Sequence, residues 1–303
     1  IRDSWASRGL GDVYKRQTLL LDKPKNITSN GALRIVKKEL SVKKAGIVGI
    51  LDPLATGMLP IVLNEGTKLA RYVEAYEKEY QVIVKLGLMS NTGDNEGVIT
   101  KTNKDDPFEL KDKFIKMTLK DLVGIQKQIP PMYSALKVNG VKLYNLARKG
   151  IVIDREPRDI NILDIKLISY DEDELSLNIV CSKGTYIRTL VETIGDKLNT
   201  GAYTKELRRL RIGHFIENDM VTLENLSKDI NKIIHVNHML DNFKSFVIND
   251  SDILRISRGQ TVSAFSAKNY DEIAIKDKNN NLLGIGRMAN GLIYPKRLIK
   301  FDK

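Results

Sequence analysis

Ile162-Leu163-Asp164-Ile165-Lys166-Leu167-Ile168-Ser169 and Leu175-Ser176-Leu177-Asn178-Ile179-Val180-Cys181, joined through the acidic residues Asp171, Glu172 and Asp173, form the stretch on which the reading of the fold turns. Two apolar runs of strand length flank a polar turn, which predicts an antiparallel hairpin. Thr185 to Leu198 follows and reads as an amphipathic helix. Local hairpins interspersed with helices predict an α+β fold rather than a doubly wound parallel sheet.

Working outward, Thr18-Leu19-Leu20-Leu21-Asp22-Lys23-Pro24 reads as a short buried strand stopped by proline. Thr28-Ser29-Asn30 offers a cap for a helix running to about Leu40, with Leu33, Val36 and Leu40 on one face. Lys68 to about Tyr76 reads as helix, Tyr80 to Leu86 as strand, and 108–123 as a helix charged on its outside. Residues 217–245 carry two weak helices between polar joints. From about Val247 the texture becomes short strands, "TVSAF", "EIAIKD", "LLGIGRMA" and "LIYPKRLIKF", divided by "KNN" and "NG" turns. This predicts a separate C-terminal β module over 246–303. Residues 1–17 show no clear period and read as a non-native or disordered segment, leaving 18–245 as the main domain.

The 303 residues and a hydrophobic fraction of 42% allow a sizeable core. No apolar run approaches a membrane span. A single cysteine, Cys181, excludes an internal disulfide framework and a multi-cysteine zinc site, and fits a reducing cytoplasm. No P-loop or Rossmann fingerprint is present. Of the three histidines, His235 and His238 have i, i+3 spacing but lack the spacing and glutamate of a metalloprotease helix, so capping or solvated roles are expected and no metal. The net charge of +11 fits a polyanionic partner, most simply nucleic acid, and equally a lysine-rich solvated surface. No heptads appear, which predicts a monomer.

Gly49-Ile50-Leu51-Asp52-Pro53-Leu54-Ala55-Thr56-Gly57-Met58-Leu59 places one carboxylate among apolar residues. Asp-Pro starts helices well, so Asp52 reads either as a helix cap or as a site acid; the flanking glycines permit close approach to a ligand. A buried acid needs a partner. Arg188, about one turn into the helix after the hairpin, could hold it bidentately, or could be a surface arginine. Tyr80 could stack on an unpaired base or belong to the core. Lys137, Lys142, Arg148, Lys149, Arg155 and Arg158 stand against Asp154 and Glu156, with Tyr133 and Tyr144 nearby; a second basic cluster is Lys205, Arg208, Arg209 and Arg211. Both suit phosphate contacts, and solvated faces would look similar.

Seven segments, in order, resemble the TruB family of bacterial tRNA pseudouridine synthases: "LLLDKPKNITSN", "GILDPLATGMLPIVLNEGTKLARY", "KEYQVIVKLG", "IPPMYSALKVNGVKLYNLARKGI", "REPRDI", "CSKGTYIRTL" and "GAYTKELRRLRIG". The resemblance implies the pseudouridine synthase fold: a central mixed, mainly antiparallel sheet flanked by helices, a thumb insertion at about 126–152, and a PUA-like C-terminal RNA-binding domain. It implies isomerisation of the T-loop uridine at position 55 of tRNA by base flipping, with the T-arm stem-loop as partner and no cofactor. Asp52 matches the catalytic aspartate, Arg188 its partner, and Tyr80 the residue stacking on the target base. Tyr186 and Leu207 match pocket positions, and Lys23 and Pro24 a supporting motif. The family usually reads Gly-His-Thr-Gly-Thr before "LDP"; here Gly46-Ile47-Val48-Gly49-Ile50 puts Ile47 where a histidine is thought to fill the space of the flipped base. Ser90-Asn91 replaces a common Thr-Asp. A non-catalytic tRNA-binding protein or tRNA folding chaperone would use the same basic surfaces. A guide-RNA-dependent synthase shares core motifs, but the thumb segment and lack of long basic tails argue against it.

Overall fold

The predicted hairpin is the centre of an antiparallel sheet. In the computed structural model, which describes residues 17–102, 110–264, 266 and 268–299, the strand Arg158–Asp171 pairs with Glu174–Cys181 and turns through Glu172, at φ 51°, and Asp173. The chain divides into two compact units, one from the residues up to Leu51, Leu59–Glu74 and Asn218 onward, the other from Asp52–Met58 and Ala75–Glu217.

In the second unit the sheet runs, each neighbour antiparallel, from the edge strand Gly124–Gln128 through Arg158–Asp171, Glu174–Cys181 and Lys78–Leu86 to Ala202–Ile212. Thr56 and Gly57 then pair in parallel with Arg208 and Arg209. Alternation drives the arrangement: Lys78, Tyr80, Val82, Val84 and Leu86 are all buried on one strand. The amphipathic helix Ile187–Lys197 buries Ile187, Leu190, Val191 and Ile194 and packs against Ala202–Ile212. Gly195 permits this contact, since a Cβ there would lie 2.3 Å from the Ala202 nitrogen. A shorter helix, Asp112–Lys120, forms inside the predicted 108–123; residues 103–109 lie outside the described residues.

In the first unit the buried strand Gln17–Lys23 pairs in parallel with Val221–Thr222 and antiparallel with Ile234–His235. Of the segment 1–17 read as non-native or disordered, 1–16 lie outside the described residues, and Gln17 is ordered as the first residue of the strand, paired with His235. The helix Ser29–Glu39 forms as predicted, Thr28 Oγ1 accepting from Gly31 N at 3.0 Å. The predicted helix from Lys68 begins as 3₁₀ turns over Asn64–Leu69 and is α-helical only over Ala70–Glu74. The two weak helices of 217–245 are instead short 3₁₀ turns, Glu217–Asp219, Ile230–Lys232 and Val236–Leu240, with the strand residues above between them. Their apolar groups are too few and too clustered to build a helical stripe, and Val236, Met239 and Leu240 are buried from a single turn. His235 caps that turn, its Nδ1 accepting from Asn237 N, and His238 lies 3.0 Å from Asp241.

The C-terminal β module has strand order Ser245–Val247, Tyr270–Lys276, Leu282–Ala289, Leu292–Leu298, Val262–Ser263. Asn290-Gly291, both at positive φ (52° and 72°), makes its hairpin turn. One element was absent from the sequence reading: the helix Asp250–Ser257, capped by Asn249, whose Ile256 joins a core with Val262, Ile273, Ile275 and Ile293. No helix among the described residues is long and apolar enough to cross a membrane.

Candidate active site

Asp52 follows a residue whose backbone is fixed. Ser29 Oγ accepts from Leu51 N at 2.9 Å and donates to Leu51 O at 2.8 Å. No helix starts at Asp52: Ala55 N donates to Asp52 O at 3.1 Å, closing a turn, and the strand Thr56–Leu63 follows. The helix-cap alternative is therefore set aside. Nor does Gly57 serve close approach to a ligand. At φ +92°, it stands where a Cβ would be 2.3 Å from the Arg209 carbonyl oxygen, so its bareness serves strand pairing.

The predicted partner is in contact. Arg188 Nε lies 2.9 Å from Asp52 Oδ2, with the arginine side chain 5% exposed and the aspartate 36% exposed. Its remaining donors are used inward: Nη1 donates to Thr92 O at 2.6 Å and lies 3.5 Å from Asp94 Oδ2, and Nη2 donates to Tyr133 O at 2.7 Å. The surface-arginine alternative is excluded by this burial. Asp94, itself buried, is held by Thr92 Oγ1 at 2.6 Å and Glu96 N at 3.0 Å. One guanidinium thus faces two carboxylates, which compensates the desolvation that a lone buried charge would suffer. Glu192 sits on the same helix, and burial pushes its carboxyl up against the opposing pull of Arg188.

Tyr80 is buried beside this pair. Burial raises its phenol above the usual range, against the pull of Arg209, which hydrogen-bonds it; the charge of Asp52 adds a smaller push upward. Tyr80 stays protonated and neutral at physiological pH. Arg209 is buried too and donates from Nε to Met58 O at 2.7 Å. Burial also raises the Tyr186 phenol. Leu207 is buried on the strand that carries Arg209, opposite Val82. Cys181, pushed up to about 11 by burial, is an inert core thiol rather than a nucleophile.

Ile47, Lys23 and Pro24 belong to the other compact unit. Ile47 ends a strand, Ala45–Ile47, paired antiparallel with Ile61. Lys23 is fully buried, and its Nζ donates to Pro24 O and Ile27 O, both at 2.8 Å, bracing the loop that leads to the capped helix. Pro24 is exposed.

The two basic clusters diverge. After Tyr133, a small hairpin pairs Lys137–Val138 with Val141–Lys142 around Asn139-Gly140, and the helix Leu143–Ala147 follows. Lys137, Arg148, Lys149 and Arg158 are exposed, and Lys142 and Arg148 each lie 5.4 Å from the centre of the Tyr144 ring. The second cluster is not a free phosphate surface. Arg211 bonds Glu77 and Glu79, Arg208 bonds Glu217, Lys205 bonds Glu174, and Arg209 is in the interior. Cross-strand register sets Arg211 beside Glu79, while Arg208 meets Glu217 in the 3₁₀ turn that follows the strand. Sequence reasoning also missed Asp94, Thr92, Tyr133 and Gln128 as neighbours of Arg188 or its helix; only "SNTGD", dense in turn formers, hinted at a structured loop. Among the described residues no group of three or more His, Cys, Asp or Glu could hold a metal ion.

Residues 37–187 match the TruB family pseudouridylate synthase N-terminal domain, 188–242 the tRNA pseudouridylate synthase B C-terminal domain, and 245–299 the pseudouridine synthase II TruB C-terminal domain. The chain belongs to the TruB family. A protein of Coxiella burnetii (strain Dugway 5J108-111) named tRNA pseudouridine synthase B is 38% identical over 301 residues, covering 95% of this TruB-family chain and 97% of its own. One of the same name from Buchnera aphidicola subsp. Acyrthosiphon pisum is 42% identical over 303 residues, covering 93% and 95%. Among solved structures, that of a Cbf5-Nop10-Gar1 complex aligns with TM-score 0.74 at 23% identity, over 97% of this chain and 87% of that one. At such identity the likeness shows the shared pseudouridine synthase fold.

Proposed function

We infer that this chain is a tRNA pseudouridine synthase that isomerises the T-loop uridine, position 55, with Asp52 as the reacting carboxylate. The observation that carries the reading is the Asp52–Arg188 pair: the cation is withdrawn from water while the carboxylate keeps an open side. A desolvated guanidinium favours the ionised acid, and the open side leaves that acid free to act on a substrate.

The isomerisation breaks the bond from C1′ to N1, turns the base and forms a bond from C1′ to C5. The C5 hydrogen leaves as a proton and N1 gains one, so nothing is oxidised and no group is transferred to another molecule. In this reading Asp52 acts on the ribose or the base, and Arg188 keeps it charged. Tyr80 stacks on the uracil, neutral because it is buried, while Tyr186 and Leu207 wall the pocket. By the family resemblance, Lys23 and Pro24 keep a supporting role, and Ile47 stands at the position of the histidine associated with base flipping. Flipping costs a few kcal/mol, which contacts to the stem-loop must replace. The exposed Lys137, Arg148 and Lys149 supply phosphate contacts from the thumb, 126–152. Residues 18–245 act as the catalytic domain and 246–303 as a PUA-like RNA-binding domain. The protein works as a monomer in the cytoplasm, without metal or cofactor.

The test is incubation with an unmodified tRNA transcript and quantification of pseudouridine at the T-loop position, for the wild type and for Asp52→Asn. Product with the wild type and none with the variant is the expected result. tRNA binding without isomerisation, unaffected by Asp52→Asn, would replace this reading with that of a non-catalytic tRNA-binding protein.

A further inference from the structure

Arg188 has a feature its ion pairs do not explain. Its Nη2 donates to the carbonyl of Tyr133, which belongs to the segment after the edge strand Gly124–Gln128. A guanidinium is a rigid planar fork, so the direction of Nη2 fixes that of Nε. Moving the Tyr133 carbonyl therefore turns the group that holds Asp52.

Five residues before Tyr133 there is a second tether. The side-chain amide of Gln128 closes a two-bond ring with the peptide of Tyr186: Tyr186 N donates to Oε1 at 2.8 Å, and Nε2 donates to Tyr186 O at 3.0 Å. Tyr186 is the N-cap residue of the arginine helix, two positions before Arg188, and its own side chain makes no capping bond. Gln128 is 7% exposed, so these bonds are shielded from water. Between the tethers run Ile129-Pro130-Pro131-Met132, whose two prolines have fixed φ and make the span stiff. Beyond Tyr133 the chain enters the basic hairpin of Lys137 to Lys142.

We propose that Gln128 is a positioning residue: with the Tyr133 carbonyl it sets the orientation of Arg188 toward Asp52, so that the stretch 128–133 couples the placement of RNA on the basic hairpin to the catalytic pair. The proposal rests on the reading of Asp52 as the reacting group. Binding energy gained on the hairpin then serves orientation at the reacting centre.

Two variants test it. Gln128→Met removes both bonds at similar volume; Gln128→Glu keeps the acceptor and loses the donor, and serves if the methionine variant does not fold. With saturating tRNA transcript, Gln128→Met lowers the single-turnover rate by about tenfold or more, with tRNA Kd changed less than about twofold. In an Arg188→Lys background, whose ammonium cannot hold Asp52 and the Tyr133 carbonyl in one plane, the same substitution costs little more. An equal loss in both backgrounds would mark Gln128 as merely structural and overturn the proposal, as would no loss at all. A readout independent of turnover is hydrogen exchange of the Arg188 Nε–H in arginine-labelled protein. It quickens about tenfold in Gln128→Met, because Nε loses Asp52; unchanged exchange overturns the proposal even if the wild type proves inactive. Wild-type inactivity with quickened exchange would instead sink the Asp52 reading and leave the coupling standing.

Discussion

Two regions of the second unit carry cations, and they treat them in opposite ways. Around Asp52 the cation is buried: Arg188 is 5% exposed and faces Asp52 and Asp94. On the segment after Tyr133 the cations are outside, with Lys137, Arg148 and Lys149 in solvent, while Lys142 and Arg148 lie over the Tyr144 ring. A buried charge interacts strongly with a few fixed neighbours, while an exposed one is screened and acts on any anion that approaches. On the function proposed above, the buried pair holds one geometry and the exposed cations after Tyr133 meet phosphates. The strand Ala202–Ile212 is the instructive intermediate: basic in composition, yet its charges are consumed by Glu77, Glu79, Glu174 and Glu217.

The sharpest way to break the comparison is to exchange effects between the regions. Asp52→Asn is expected to lower the single-turnover rate by about 10⁴-fold or more while leaving tRNA Kd within about twofold; a matching loss of affinity would show that pocket and hairpin are not separable. Arg188→Met leaves two carboxylates without their cation and is expected to lower stability by about 2 kcal/mol, measured by urea unfolding, as well as the rate. On the other side, Arg148→Glu with Lys149→Glu is expected to weaken tRNA binding about tenfold and reduce the salt slope by about two, with the rate at saturation unchanged. Ile47→His is a finer probe: the single-turnover rate is expected to rise a few-fold at constant Kd, and a fall or no change would count against a wedge at this position. The smallest effect concerns the intermediate strand. The hydrogen bond from Arg211 holds the Glu79 carboxyl below its usual range, opposed by burial. That pair therefore stabilises the fold above the ordinary carboxylate pKa and is lost as pH falls through the lowered one. Tm should drop more steeply with acid in the wild type than in Glu79→Gln, by less than about 1 kcal/mol in stability terms.

Much of this was legible in the chain. The 162–181 hairpin, the Thr28 cap and the arginine helix follow from turn residues, caps and period, which are local. The 3₁₀ turns of 217–245 and the helix at Asp250 were misread because both are short, and packing outweighs propensity over so few residues. Asp52, Arg188 and Tyr80 stand out in the sequence through motif likeness added to the residues themselves. Gln128 and Asp94 do not: a glutamine before two prolines or an aspartate in a turn looks like any other until its neighbours are known.

By itself, then, the order of residues determined most of the local elements and the family, and through the resemblance it pointed to Arg188 as the partner of Asp52. Only the folded molecule decided which arginines are buried and paired and which face solvent, and which residues brace the pair. That division has one physical cause: capping and periodicity act between residues a few positions apart, whereas the desolvation that makes one guanidinium a pocket cation and another a surface charge depends on strands brought together from distant parts of the chain.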